Sequence, residues 1–131
     1  MFMEFMLKDG MSRYAPVVLR LGLAAVVLWF GMNELMSPAA WASYVPEWAT
    51  SLSGLTPLTI VYLNGAFEVV AAILLALGVF VRTISFLLFA HLIVIVAEIG
   101  LNPTGVRDLG LAAGFLSLML SGPDALSLGK K

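Results

Sequence analysis

Residues 58–81, LTIVYLNGAFEVVAAILLALGVFV, are apolar throughout except at Asn64 and Glu68. A helix needs roughly 20 apolar residues to cross the hydrocarbon core of a bilayer, and this run is long enough. Inside a bilayer only a helix or a closed barrel can satisfy its own backbone hydrogen bonds. The segment is therefore predicted to be a transmembrane helix.

Three more segments have the same character. They run from about Ala15 to Leu35, from Thr83 to Leu101 and from roughly Thr104 to Leu120. The breaks at Gly78 and at residues 100–105 are so short that consecutive helices are expected to be antiparallel neighbours. The sequence thus predicts an all-α, integral membrane four-helix bundle, in which residues 1–131 form a single four-span domain.

The composition of the whole chain supports a membrane protein. It is 61% hydrophobic and only 11% charged, with a mean hydropathy of +1.02, whereas a soluble domain carries about 25% charged residues. The absence of cysteine excludes disulfides, cysteine zinc sites and thiolate nucleophiles. A net charge of -1 without a basic stripe argues against nucleic acid as a partner.

The only long connection runs from Met36 to Pro57 and is rich in aromatic residues. It contains Trp41, Tyr44 and Trp48, which favour the depth of the lipid headgroups. Pro38 and Pro46 mark possible helix starts, since proline is favoured in the first turn of a helix. An interfacial helical segment between the first and second long helices is therefore predicted.

Basic residues indicate the orientation in the membrane. They flank the spans on one side only, at Lys8, Arg13, Arg82, Lys130 and Lys131. The positive-inside rule then predicts an inner (plasma) membrane protein with both termini in the cytoplasm. A signal peptide within residues 1–42, cleaved near Ala40-Trp41-Ala42, is the alternative, which Arg20 in its apolar region disfavours.

Polar residues inside the predicted spans gather in the outer half of the bundle. An ionisable side chain costs about 2.5–3.5 kcal/mol at the bilayer centre, so such residues are expected to face the bundle interior and to pair. Helical spacing agrees, because Asn64 and Glu68 lie four residues apart on one face. The candidate ligand-binding residues are Asn33, Glu34, Asn64, Glu68, His91, Glu98, Arg107 and Asp108.

The first helix carries a similar stripe. Its interior face is predicted to consist of Arg20, Ala24, Val27, Gly31 and Glu34. Arg20 is expected either to extend to the cytoplasmic headgroups or to cap an interior carbonyl. On the fourth helix, Gly110 and Gly114 form a GxxxG pattern that allows close approach of another helix.

Specific pairings are expected within this polar set. Arg107 should be held by a carboxylate, with Glu98 the first candidate and Glu34 the second; such a pair would either clamp helix ends or line a charged pocket. Glu68 and His91 are predicted near the midplane, where they would relay protons or bond a carbonyl of a ligand such as a quinone. The alternative is that His91 only packs, bonded to a backbone carbonyl or to Asn64.

A metal site is not expected. Glu34, Glu68, His91 and Glu98 have the right chemistry for a carboxylate-bridged centre, but they lack the Glu-x-x-His spacing of four-helix di-iron proteins. No phosphate loop, nucleophile elbow or dinucleotide fingerprint is present either. The sequence therefore predicts no intrinsic cofactor.

Several short motifs occur in a characteristic order along the four spans. They are RLGLA (20–24), WFGMNEL (29–35), NGAFE (64–68), LLALG (74–78) with Arg82, then His91, VRDLG (106–110) and GPD (122–124). In this order, from Arg13 to Leu128, the chain resembles the DoxX-like family of small four-span membrane proteins. The resemblance implies a membrane subunit linked to quinone-dependent sulfur oxidation, as in thiosulfate:quinone oxidoreductase, or to oxidative-stress complexes.

Three functions are compatible with these observations. The first is a membrane subunit with an outward-facing polar pocket for a small ligand or a quinone, working with a redox protein partner or as a homo-oligomer in the lipid bilayer. The second is a small transporter or proton-conducting protein. The third is a structural anchor without activity of its own, and an isolated enzyme is not expected.

Overall fold

Helices make up 83% of the structure and no strand occurs among its described residues, which confirms the all-α prediction. The computed structural model describes the backbone of residues 1–129 and their side chains except those of residues 5–8. The elements are α1 (Phe2–Met36), α2 (Pro38–Trp41), a 3₁₀ turn (Ala42–Tyr44), α3 (Glu47–Ser53), α4 (Pro57–Leu77), α5 (Val81–Ile99) and α6 (Pro103–Ser121). The predicted orientation depends partly on residues that the structure does not describe. These are the side chain of Lys8, Lys130 and Lys131.

Within the described part of the chain, three helices are long and apolar enough to cross a membrane: α1, α4 and α5. Helix α6 has the same length of 19 residues as α5. Its start carries Arg107 and Asp108, however, and the charges and glycines of this helix lower its hydropathy. A fourth transmembrane span at α6 therefore stays a prediction.

Helix α1 is longer than predicted. It begins at Phe2 rather than near Ala15 and continues without interruption to Met36. Hydropathy marks only the apolar part of a helix, and this helix extends through the polar residues that precede Ala15. The predicted span and the observed helix therefore differ at this end.

The other helix boundaries follow local sequence signals. Pro57 and Pro103 occupy first-turn positions of α4 and α6, and each is preceded by a side-chain cap. Thr56 Oγ1 accepts a hydrogen bond from the Thr59 amide at 3.3 Å, and Asn102 Oδ1 accepts one from the Gly105 amide at 2.9 Å. The connection between α1 and α4 is helical, as predicted.

The long helices pack mainly as two pairs, α1 with α4 and α5 with α6. Gly78 ends α4 as predicted, in the left-handed conformation with φ of 74°. Only residues 78–80 join α4 to α5. Even so, α4 packs more extensively against α1 than against α5, and α5 packs more extensively against α6 than against α4. On α6, Gly114 packs against Leu23 of α1, whereas a Cβ atom added at Gly110 would meet nothing within 4 Å; the predicted close approach is therefore confirmed at Gly114 and wrong at Gly110.

The apolar core fills one half of the bundle. Its most buried members come from α4, α5 and α6, and each is at most 2% exposed: Leu75, Val81, Leu88, Phe115 and Leu118. Helix α1 contributes its predicted interior face, since Arg20, Ala24, Val27, Gly31 and Glu34 are all buried. The polar residues of the candidate site lie beyond this core, in the other half.

Arg20 closes the core at its far end. It is 1% exposed and donates hydrogen bonds to the backbone oxygens of Leu75 (3.0 Å) and Ala76 (2.6 Å) at the C-terminus of α4. It also makes two bonds to the carboxylate of Asp124, at 2.8 and 3.1 Å. Capping of interior carbonyls is thus confirmed, and extension to the headgroups is wrong, because a buried carboxylate holds the guanidinium inside.

The segment after α6 brings Asp124 to this position. The Leu128 amide bonds to the Leu77 carbonyl at 3.1 Å and the Gly129 amide to the Gly78 carbonyl at 3.0 Å. Hydrogen bonds from Arg20 hold the pKa of the Asp124 carboxyl below its ordinary value. The C-terminal segment therefore joins α1 to the end of α4.

Candidate functional site

Two glycines bring α1 and α4 together at the base of the site. A Cβ atom added at Gly31 would lie 2.9 Å from Val69 Cγ2, and one at Gly65 would lie 3.1 Å from Glu34 Cβ. Such contacts leave no room for a larger side chain at either position. The close approach places Glu34 of α1 directly beside the polar residues of α4.

Asn64 links two buried carboxylates. Its Nδ2 atom lies 3.1 Å from both oxygens of Glu34 and 3.1 Å from Glu68 Oε1. Glu34 is 8% exposed and Glu68 is 7% exposed. One amide group with two N–H donors therefore serves two acidic side chains in a buried setting.

Glu68 and His91 meet across α4 and α5. Glu68 Oε1 lies 3.4 Å from His91 Nε2, and the imidazole ring packs against Phe67 with 5.7 Å between ring centroids. Neither Glu68 Oε2 nor His91 Nε2 has a hydrogen-bond partner among the described residues, although both atoms are buried. Buried polar atoms without partners are rare, and each calls for an explanation such as a water, an ion or a functional role.

Arg107 does not pair as predicted. Its guanidinium lies 3.2 Å from Oδ1 of the adjacent Asp108, which is buried, and 5.8 Å from the centre of the Phe30 ring. The predictions of Glu98 and Glu34 as its partner are wrong. Glu34 is held by Asn64, and Glu98 accepts a hydrogen bond from Trp48 Nε1 at 2.9 Å.

The segment between α1 and α4 covers these residues. Trp41 packs edge-on against Phe30, with 6.0 Å between centroids, and Tyr44 lies 5.9 Å from Trp41. Trp48 reaches α5 through its bond to Glu98. These rings were predicted only as headgroup anchors; in the structure they form a wall of the site.

Together these elements enclose a cavity of ≈ 660 Å³. Seven of the eight predicted site residues line it: Glu34, Asn64, Glu68, His91, Glu98, Arg107 and Asp108. Asn33 is not among the lining residues, because its side chain bonds to the Trp29 carbonyl of its own helix at 2.7 Å. A cavity of this size is suited to a small organic ligand.

A model of the DoxX family matches residues 15–100, about two thirds of the chain. The chain belongs to the DoxX family. DoxX proteins are small membrane proteins, which agrees with the length and apolar character of α1, α4 and α5. No curated protein and no solved structure matches the chain.

The DoxX match covers the part of the cavity built by α1, α4 and α5. It includes the cluster of Glu34, Asn64, Glu68 and His91, and it ends at residue 100, before α6. Arg107 and Asp108 therefore lie beyond the matched region. In the described part of this DoxX chain, no three His, Asp or Glu side chains are positioned to hold a metal ion.

Proposed function

We propose that this DoxX protein is a membrane subunit of a quinone-linked oxidoreductase complex and that its cavity binds the quinone. In this proposal α6 is the fourth span of the bundle. The protein lies in the plasma membrane with both termini in the cytoplasm, so the cavity faces outward. A redox protein partner supplies the electrons.

The observation that carries the proposal is the pair of unpartnered buried atoms, Glu68 Oε2 and His91 Nε2. A quinone has carbonyl oxygens that need hydrogen-bond donors, and a carboxylic acid or an imidazole can donate one. A bound quinone would supply two-electron chemistry, and its reduction to a quinol would take two electrons from the partner and two protons delivered one after the other through Glu68. Glu68 would hold a proton at Oε2, with the nearby imidazole able to replace it.

The walls of the cavity fit a planar apolar ring. All three tryptophans of the chain, Trp29, Trp41 and Trp48, line it. Aromatic side chains stack on such rings and exclude water from them. The ring would lie among these side chains while its oxygens reach the polar cluster.

The position of the core favours a binding pocket over a conducting path. On the side of the core, the cavity is lined by the apolar residues Val27, Leu88 and Phe115. Beyond them lies the apolar core, and beyond the core the Arg20–Asp124 pair. This arrangement supports a site that opens at one end of the bundle.

Replacing Glu68 with leucine is expected to weaken quinone binding about tenfold, the effect of losing one buried hydrogen bond of ~1.4 kcal/mol. His91→Phe should have a similar effect, while Glu68→Gln should retain most of the affinity, since the amide still donates. The measurement is tryptophan fluorescence quenching by a short-chain ubiquinone analogue, with the protein in nanodiscs.

Glu47→Leu is the matched control, because Glu47 is exposed and does not line the cavity. It should bind the quinone analogue as the wild type does. Wild-type affinity in both folded variants, Glu68→Leu and His91→Phe, would contradict the proposal.

A further inference from the structure

The charge of the cavity points to a second class of ligand. Within the described residues, four carboxylates line it: Glu34 of α1, Glu68 of α4, Glu98 of α5 and Asp108 of α6. The cationic or titratable basic groups that face them are Arg107 and His91. Acidic groups therefore outnumber basic ones on the cavity wall.

The single guanidinium of the cavity is already engaged. Arg107 lies against Asp108 at 3.2 Å and its side chain is 57% exposed, at the mouth rather than the base. At the base, Glu34 and Glu68 share the Asn64 amide, and the contact to His91 is 3.4 Å long. The acidic character is thus concentrated around Glu68.

Glu68 lines the cavity and carries an unpartnered acceptor atom. Its side chain is 10% exposed, and its Oε2 atom has no hydrogen-bond partner within the described part of the chain. A buried carboxylate oxygen in this state is stabilised by a cation that enters the cavity. The acidic residues of the lining and the unpartnered Glu68 Oε2 atom both favour a positively charged ligand.

Aromatic rings line the same cavity. Trp29, Phe30, Trp41, Tyr44, Trp48 and Phe115 all line the cavity. The faces of such rings attract ammonium groups, most strongly when water is excluded. Phe30 already faces the Arg107 guanidinium, at 5.8 Å, so a cation is held against one of these rings in the structure itself.

We propose that the cavity also binds an organic cation, an amine or quaternary ammonium with an apolar body, whose charge lies at Glu68 and whose body packs against the aromatic wall. A soluble amine and the ammonium of a lipid headgroup share this chemistry. The inference is separate from the quinone proposal, because it depends on a charged Glu68, whereas a quinone needs a hydrogen-bond donor there.

The test compares a cation with a neutral molecule of the same shape. Benzyltrimethylammonium and its uncharged isostere neopentylbenzene are titrated against the protein in phosphatidylglycerol nanodiscs, with tryptophan fluorescence as the readout. The wild type is expected to bind the cation at least about tenfold more tightly than the isostere. Glu68→Gln should lose most of this preference for the cation but keep its affinity for the quinone analogue. The failure of one proposal can therefore be told apart from the failure of the other.

Glu47→Gln serves as the control for a lost surface carboxylate and should keep the wild-type preference.

Repeating the titration with phosphatidylethanolamine added distinguishes a lipid headgroup from a soluble amine as the source of the cation. Weaker binding of the probe indicates competition by the lipid ammonium, and unchanged binding indicates a soluble cation; either supports an ammonium site. Equal binding of cation and isostere by the wild type, or an unaltered preference in Glu68→Gln, would overturn it.

Discussion

Asp124→Asn is expected to lower the free energy of unfolding by about 3–5 kcal/mol, the usual effect of removing one partner from a buried ion pair. Arg20 is 1% exposed and its side chain would keep a positive charge without a matching carboxylate. The segment after α6 would also lose its strongest attachment to α1. Reversible unfolding in bicelles measures the change.

The matched control for this substitution is Asp9→Asn, since Asp9 is exposed. It should change the unfolding free energy by no more than ~0.5 kcal/mol. The double variant Arg20→Met/Asp124→Leu should be more stable than Asp124→Asn alone, because it buries no uncompensated charge. A loss below ~1 kcal/mol in Asp124→Asn would mean that the ion pair does not secure this end of the bundle.

The same pair predicts how stability depends on pH. Because the folded pKa of Asp124 lies below its ordinary value of 3.8, the unfolded state takes up the proton first as the pH falls. The stabilisation is therefore complete well above 3.8 and is lost as the pH drops through the lowered folded value. The Asp124→Asn variant should lack this part of the acid dependence in the same unfolding measurement.

Asn64→Leu is expected to lower the unfolding free energy by about 2–4 kcal/mol. The Asn64 amide donates to both Glu34 and Glu68, and without it two buried carboxylates lose their shared donor. Charged groups in a membrane interior are costly unless they are paired. Unfolding in bicelles again provides the measurement.

Asn33→Leu is a closely matched control, because Asn33 bonds only to its own helix backbone and lies outside the cavity lining. It should change stability by no more than about 0.5 kcal/mol. Adding Glu34→Gln to Asn64→Leu should restore part of the lost stability, because only one of the two buried carboxyl groups that Asn64 serves is then left. If Asn33→Leu and Asn64→Leu have equal effects, the carboxylate cluster is not held by Asn64.

The location of the polar cluster was predictable from the sequence. Charge is expensive in lipid, and the four-residue spacing of Asn64 and Glu68 fixes them on one helical face, so both had to point inward. The exception, Asn33, has a physical reason. An asparagine can bond to the carbonyl four residues earlier, as Asn33 does with Trp29, and then it needs no interior partner.

The pairing of individual charges was less predictable. Arg107 contacts Asp108, its neighbour in sequence, while the expected partner Glu98 accepts a hydrogen bond from Trp48. Asp124 lies 104 residues from Arg20 in the sequence. Only the path of the chain after α6 brings these two side chains together, and no local periodicity encodes that path.

Only part of the role of the aromatic segment between α1 and α4 could be predicted from the sequence. Tryptophan and tyrosine in a connection between spans are typical of the membrane interface. That Trp41 and Trp48 line a cavity depends on the packing of α2 against α1 and α4 and on the hydrogen bond that joins Trp48 of α3 to Glu98 of α5. Proline positions predicted the starts of these helices but not the direction in which they pack.

Under both proposals, the polar cavity around Glu68 and His91 holds a ligand and is not only a structural cluster. The most direct measurement is a crystal structure of this DoxX protein in a lipidic bilayer phase soaked with a short-chain quinone. We expect density for a planar ring among the tryptophans, with an oxygen within hydrogen-bond distance of Glu68 Oε2 or His91 Nε2. A cavity filled by side chains, with Glu68 and His91 bonded directly and no ligand density, would contradict the claim.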